Sequence, residues 1–162
     1  DWEEFVTQPY IEEAEKQDFK ERISKVEGST DNPESSAVGK YQHLWNSHKD
    51  KIKEITGVTT KDEYRNNKKA QEKYQNFLIE DYNRAADEIQ NKFKDATIDK
   101  NITKALVHFL GESDTELYIK ILLKTKDENK AQEAVDNSIR ERTKKEPPKN
   151  MKVSEYLAKF AE

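Results

Sequence analysis

Glu27 stands between the apolar Val26 and Gly28, where an amphipathic segment gives way to a polar one. A carboxyl in that position can lean on apolar surface on one side and face an open loop on the other. Loss of water disfavours the charged form and raises a carboxyl pKa. A carboxylic acid still protonated near neutrality can give its proton to a leaving oxygen. By position alone, Glu27 is one of 33 acidic residues and reads as an ordinary solvated charge. Its weight comes from the residues after it in the chain: Ser29, Asn32-Pro33, Ser35-Ser36, then Gly39-Lys40-Tyr41-Gln42. Gly39 lets backbone approach a ligand closely. Gln42 can both donate to and accept from hydroxyl and amide groups. Tyr41 and the later Phe109 offer aromatic faces.

Other chemistries find less support. Zero cysteines exclude a disulfide framework, a thiolate metal site and a cysteine nucleophile. His43, His48 and His108 have no metal-site spacing; His43 and His48 are five apart, wrong for one helical face. His108, beside apolar residues, reads first as a partly buried, satisfied histidine. Ser35-Ser36 lacks a neighbouring base, and no Gly-rich phosphate loop is present. No metal and no cofactor is expected.

The elements that must position these residues read as helices. Only 4 glycines and 4 prolines interrupt the 162 residues. Trp2–Gln17 reads as a weak helix broken near Pro9. Asp18 opens a clearer one, with Phe19, Ile23 and Val26 on one stripe and its end at Glu27–Gly28. A polar loop covers 29–36. A second helix is expected over 38–56, with Tyr41, Leu44, Trp45, His48, Ile52 and Ile55 on one face and Gly57 as its stop. There Tyr41, Leu44 and Trp45 read first as core, with Tyr41 open to a second role as a ligand contact.

Thr60-Lys61-Asp62-Glu63 has the form of a capping box. A long helix over 68–94 carries the stripe Tyr74, Phe77, Leu78, Tyr82, Ala85, Ile89 and Phe93. A short helix over 102–110 ends at Gly111. The next is capped by Asp114 or Thr115 and turns Leu117, Ile121 and Leu122 inward. A polar helix over 127–144 buries Ala131, Ala134, Val135 and Ile139. Glu146-Pro147-Pro148 breaks it, and the tail 151–162 docks through Val153, Leu157 and Phe160. No strand is convincing, although the 28–38 loop has room for a small hairpin. The fold class is all-α, or mainly α with a minimal hairpin.

Composition sets the remaining bounds. Hydrophobic residues make up 33% and charged residues 38%, close to the border with disorder. The signs nearly cancel, to a net −4, and the apolar residues recur at helical spacing, so a modest core forms. The sequence pI of about 5.6 argues against a dominant nucleic-acid surface. No apolar run is long enough for a membrane span, and no signal-peptide core is present. The lysine-rich stretches 49–53 and 68–73 are interspersed with acids and read as solvated helix faces. Asp1 is the first residue and Met151 the only methionine. That predicts a processed product or a domain of a longer protein.

The stretch Val26-Glu27-Gly28-Ser29, Asn32-Pro33, Ser35-Ser36-Ala37-Val38-Gly39-Lys40-Tyr41-Gln42 resembles the core of the lysozyme-like superfamily. It is most similar to the soluble lytic transglycosylase and goose-type lysozyme branch, including lysozyme domains of phage virion proteins. That family has a helix-ending Glu, then Ser, Asn-Pro and Gly-x-x-Gln. Ala105 to Gly111, with its His108-Phe109-Leu110-Gly111, resembles the family's later cleft segment. The resemblance spans about 18–125 and is most specific over 23–45. It implies a lysozyme-like helical domain over 18–162 behind an N-terminal helical extension over 1–17.

By that resemblance Glu27 is the catalytic acid and Ser29 orients it or the substrate. Gly39, Tyr41 and Gln42 line a sugar cleft, and His108 and Phe109 form part of its opposite wall. The implied substrate is the peptidoglycan glycan strand, at the β-1,4 bond between N-acetylmuramic acid and N-acetylglucosamine. The implied setting is a virion, with other virion proteins as partners, acting in the periplasm or cell wall. Lys40 stands where many relatives are apolar, and His108-Phe109 replaces a Tyr-Asn pattern. Neither Asp31 nor Glu34 has a context that marks a second carboxylate. A lytic transglycosylase needs only one, which favours it modestly over a hydrolase. The alternative is a catalytically inactive lysozyme-like structural or interaction domain. A third reading takes the match as accidental, in a charged helical scaffold.

Overall fold

Phe19 and Ile23 stand one turn apart and are both fully buried. Around them forms α1, Lys16–Glu27, two residues earlier than the sequence suggests. Gly28 ends it at φ 77°, its N–H donating to Ser24 O at 2.9 Å. A left-handed glycine here satisfies one of the last helix carbonyls without a Cβ penalty. The computed structural model describes residues 16–28, 36–147 and 152–162. The expected helix over 2–17, apart from its last two residues, and the loop 29–35 lie outside them.

The single helix expected over 38–56 is instead a hairpin followed by a helix. Strand β1, Ala37–Val38, pairs antiparallel with β2, His43–Leu44, in the register Ala37–Leu44 and Val38–His43. Gly39 at φ 75° and Gln42 at φ 53° frame the turn, and neither angle fits a right-handed helix. The side chains therefore alternate with period two. His43 is buried, and Leu44, expected on the apolar face, is 47% exposed.

Helix α2, Trp45–Thr56, starts after the hairpin, and Gly57 ends it with its N–H on Lys53 O. Thr60 Oγ1 caps α3, Lys61–Arg65, by accepting from Glu63 N–H; Glu63 Oε1 accepts in return from Thr59 N–H. Helix α4 spans Lys68–Lys92.

The described residues fall into two compact units, 16–81 and 82–162. The first is built on Val38, Trp45, Ile52, Val58, Tyr64 and Tyr74, with Phe77 and Leu78 half-buried against them. The second holds the rest of α4 and four further helices. In it α5, Lys100–Leu110, packs on α6, Glu112–Thr125, and on α8, Val153–Ala161; α6 packs along α7, Glu128–Thr143. Asp99 and Asp127 cap α5 and α7 through backbone N–H groups two and three residues on.

Asp114 and Thr115 do not cap α6, which already starts at Glu112 after Gly111. Both are buried in its first turn, and Asp114 accepts from Ser138 and Arg142 of α7. On α6 the buried residues include Tyr118, Ile119 and Leu122, while Leu117 and Ile121 are half-buried. On α7 Ala131 and Val135 are buried and Ala134 and Ile139 half-buried. On α8 Tyr156 joins Val153 and Phe160 in the core, and Leu157 is half-buried. The fold is mainly α, with one two-stranded hairpin among the described residues. No described helix is long and apolar enough to cross a membrane.

Candidate active site

Lys20, Ser24 and Glu27 are spaced i, i+4 and i+7 and share one face of α1. Two of the three reach the hairpin or its support. Ser24 Oγ donates to Lys40 O at 3.3 Å, and Lys20 Nζ donates to Glu72 Oε2 at 2.9 Å. The outer flank of α1 adds Glu21, which accepts from Lys40 Nζ at 2.8 Å. The helix face that ends in the half-buried Glu27 is thus fastened to the Gly39–Gln42 turn. The structure brings Glu27, Gly39, Tyr41 and Gln42 into one unit. Ser29, Asn32, Pro33, Asp31 and Glu34 lie outside the described residues.

The turn is held from within. Gln42 N–H and Gln42 Nε2 both donate to Gly39 O, at 3.1 and 2.7 Å. Gln42 is half-buried, so its amide is fixed yet reachable. The role of Gly39 differs from the one read in the sequence. A β-carbon at residue 39 would lie 2.3 Å from Gln71 Oε1. Gln71 is itself held by its Nε2, which donates to Tyr64 O and Arg65 O. The close approach that needs glycine is therefore made by Gln71, not by a ligand.

Tyr41 is also corrected. It is 2% exposed, which leaves no ring face for a sugar. Its hydroxyl donates to Glu72 Oε1 at 2.7 Å. Burial and the neighbouring Glu72 carboxylate push that hydroxyl far above the usual tyrosine range. Burial alone would raise Glu72. The hydrogen bonds from Tyr41 and Lys20 and the charges of Lys20 and Lys40 outweigh it and hold the carboxyl below its usual range.

Behind the turn lies a buried polar cluster. His43 Nδ1 is 2.7 Å from Tyr64 Oη and Nε2 is 2.8 Å from Gln75 Oε1. With a carbonyl oxygen facing it, Nε2 carries the proton and Nδ1 accepts from the tyrosine. Gln75 Nε2 is buried without a hydrogen-bond partner. His48 Nδ1 pairs with Tyr74 Oη at 2.5 Å, and the His43 ring meets Tyr74 edge-on at 5.1 Å. The five-residue spacing of His43 and His48 says nothing about one helical face, because a strand carries one and a helix the other. Burial pushes Tyr74 up to about 12. No group of three or more His, Asp or Glu with metal-site geometry occurs among the described residues.

His108 and Phe109 belong to the other unit. His108 is half-buried, with Nδ1 2.9 Å from Tyr82 Oη. Phe109 is half-buried and stacks on Tyr156, ring centroids 4.2 Å apart and 16° from parallel. One face of Phe109 is thus taken by α8 rather than open to a sugar.

Sequence reasoning missed Lys20, Gln71, Glu72, His43 and Gln75. Glu72 sits among Lys68, Lys69 and Lys73 and reads as one more solvated charge. The available signal was the polar pair Gln71 and Gln75, one turn apart on the face that carries Tyr74 and Leu78. No protein-family model matches the chain, and neither curated proteins nor solved structures give a significant match.

Proposed function

We propose that this chain is a peptidoglycan glycosidase that cleaves the β-1,4 bond between N-acetylmuramic acid and N-acetylglucosamine, acting as a lytic transglycosylase. One observation carries the reading. Glu27 ends the α1 face whose preceding turn, at Ser24, is hydrogen-bonded to the Gly39–Gln42 hairpin turn. An acid-catalysed sugar cleavage needs a carboxyl to protonate the leaving oxygen and a polar group to hold the sugar, and these two tied segments carry one of each. Glu27 gives its proton to the glycosidic oxygen as the C1–O bond breaks. The 6-hydroxyl of the same muramic acid then attacks C1. Glu27, now a carboxylate, takes the hydroxyl proton, and a 1,6-anhydro ring closes. The first proton stays on the departing N-acetylglucosamine 4-hydroxyl, the 6-hydroxyl proton restores Glu27 to the acid, and no water is consumed. Gln42 holds an N-acetyl or hydroxyl group of the strand during both steps.

The setting that accompanies this reading is a virion-associated domain, partnered with other virion proteins, that opens the wall during genome delivery. A second reading has an observation of its own. Tyr41 and one face of Phe109 are engaged inside the protein. That favours a catalytically inactive lysozyme-like structural or interaction domain of a virion protein.

The test is the release of muropeptides from purified peptidoglycan, identified by mass spectrometry. Anhydro-muropeptides from wild type and a loss of about a hundredfold or more in Glu27→Gln, on the order of a general acid's contribution, are expected. Reducing-end products would make the enzyme a hydrolase. No release by the folded wild-type chain would select the inactive domain.

A further inference from the structure

Glu72, on α4, bonds to both the Glu27 helix and the hairpin turn. Oε1 accepts from the Tyr41 hydroxyl at 2.7 Å and Oε2 accepts from Lys20 Nζ at 2.9 Å. Lys20 is 3% exposed, so its charge is buried against this side chain of α4. Tyr41 immediately precedes Gln42. Lys20 lies two turns before Glu27 on the same face, about 10.5 Å along the axis at about 1.5 Å per residue. One side chain thus ties together two residues, Lys20 and Tyr41, that stand 21 positions apart in the chain.

We propose that Glu72 is a positioning residue for the glycosidase site: through Tyr41 and Lys20 it sets where Gln42 stands relative to Glu27. The inference rests on the glycosidase reading above. It assigns Glu72 no proton transfer and no substrate contact. A bidentate acceptor suits the task, because each oxygen is committed to a different element. Charge-assisted hydrogen bonds are also shorter and stronger than neutral ones. Hydrogen bonds weaken steeply as distance and angle depart from the ideal, so a Gln42 displaced by loss of the clamp is expected to hold the sugar strand less tightly.

The test uses the full chain and soluble, uncross-linked glycan strands of alternating N-acetylglucosamine and N-acetylmuramic acid. Tyr41→Phe removes one hydroxyl and leaves Lys20 paired. Glu72→Ala removes both bonds, and Glu72→Gln keeps an acceptor for Tyr41. Tyr41→Phe and Glu72→Ala are expected to raise KM about tenfold. Glu72→Gln is expected to recover most of the Tyr41-dependent part. The double variant Tyr41→Phe/Glu72→Ala is expected to be no worse than Glu72→Ala. Folded variants with wild-type KM would overturn the proposal. Glu72→Ala strands a buried ammonium and is the variant most exposed to misfolding; Tyr41→Phe decides the matter if it does.

Hydrogen exchange at the Gln42 amide, bonded to Gly39 O at 3.1 Å, gives a readout free of activity. Its protection is expected to fall in Tyr41→Phe, and unchanged protection would count against the clamp. An inactive wild type with the clamp intact by exchange would sink the glycosidase reading, and the positioning role of Glu72 in catalysis with it. An active wild type with an insensitive Gln42 amide would sink the clamp alone.

Discussion

Gln71 Oε1 occupies the space that a β-carbon on Gly39 would need: the two would be 2.3 Å apart. Residue 39 also sits at φ 75°, in the left-handed region that costs an ordinary side chain about 1–2 kcal/mol. The two penalties act on the same atom. Gly39→Ala is expected to destabilise unit 16–81 by more than about 2 kcal/mol, above the backbone cost alone. Gly39→Ala/Gln71→Ala should lose less than the sum of the single losses, because the shortened residue 71 removes the clash. Urea unfolding followed by Trp45 fluorescence, in a Trp2→Phe background, measures all four members of the cycle. Strict additivity would mean that Gln71 moves aside freely.

The pH response of Glu72 follows from its partners. Its burial opposes the charge, but Tyr41, Lys20 and Lys40 hold the folded carboxyl below its usual range. A depressed folded pKa stabilises the protein fully above the unfolded value, about 4.3, and that contribution fades as pH falls through the folded value. Wild type should therefore exceed Glu72→Gln in stability by a constant margin from about pH 7 to about pH 5. Below about pH 4 the margin should close, since a protonated Glu72 resembles glutamine. A margin that does not change between about pH 7 and about pH 3 would mean that the Glu72 charge contributes nothing.

How much of the fold is legible in the sequence depends on the range of the interaction. Local punctuation reads well. Gly57 and Gly111 end helices, Thr60 and Asp127 start them, and Glu27–Gly28 marks the end of α1, because caps and left-handed glycines are decided within four residues. The hairpin is hidden because Tyr41, Leu44, Trp45 and His48 recur at helical spacing by coincidence. Positive φ at Gly39 and Gln42 overrides that pattern, and glutamine gives no warning of it. Gly111 likewise hides the start of α6, since a glycine N-cap offers no side-chain signal. Glu27 and Gln42 stand out through motif order. Glu72 and Lys20 do not, because a bond across 52 residues leaves no trace in local spacing.

His43 joins the hairpin to α3 and α4 through Tyr64 and Gln75, with both ring nitrogens used in a buried site. Truncation removes two hydrogen bonds and leaves the tyrosine hydroxyl and the glutamine amide without them. Each stranded group costs about 1–3 kcal/mol. His43→Ala is thus expected to lower stability by about 3 kcal/mol or more, measured by the same urea assay. His43→Phe, which fills the space without restoring either bond, should recover only the packing part. A full recovery by phenylalanine would show that the cluster is held by shape and not by its polar contacts.

Gln42 holds a conformation that glutamine does not prefer, φ 53°, and Gln42→Gly releases that strain. The same change removes the Nε2 bond to Gly39 O, worth about 1 kcal/mol. The two effects oppose each other at similar size, so stability should move by less than about 1 kcal/mol. Binding of glycan strands should not be spared. The variant loses the fixed side-chain amide of the turn, and a site built to hydrogen-bond a ligand discriminates strongly when that group is gone. A rise in KM of about tenfold or more with an unchanged urea midpoint is the expected pair of results. That pair of results would assign the Gln42 side chain to ligand contact and not to the stability of the turn. A large loss of stability in Gln42→Gly would reverse that inference and make the glutamine a structural part of the turn.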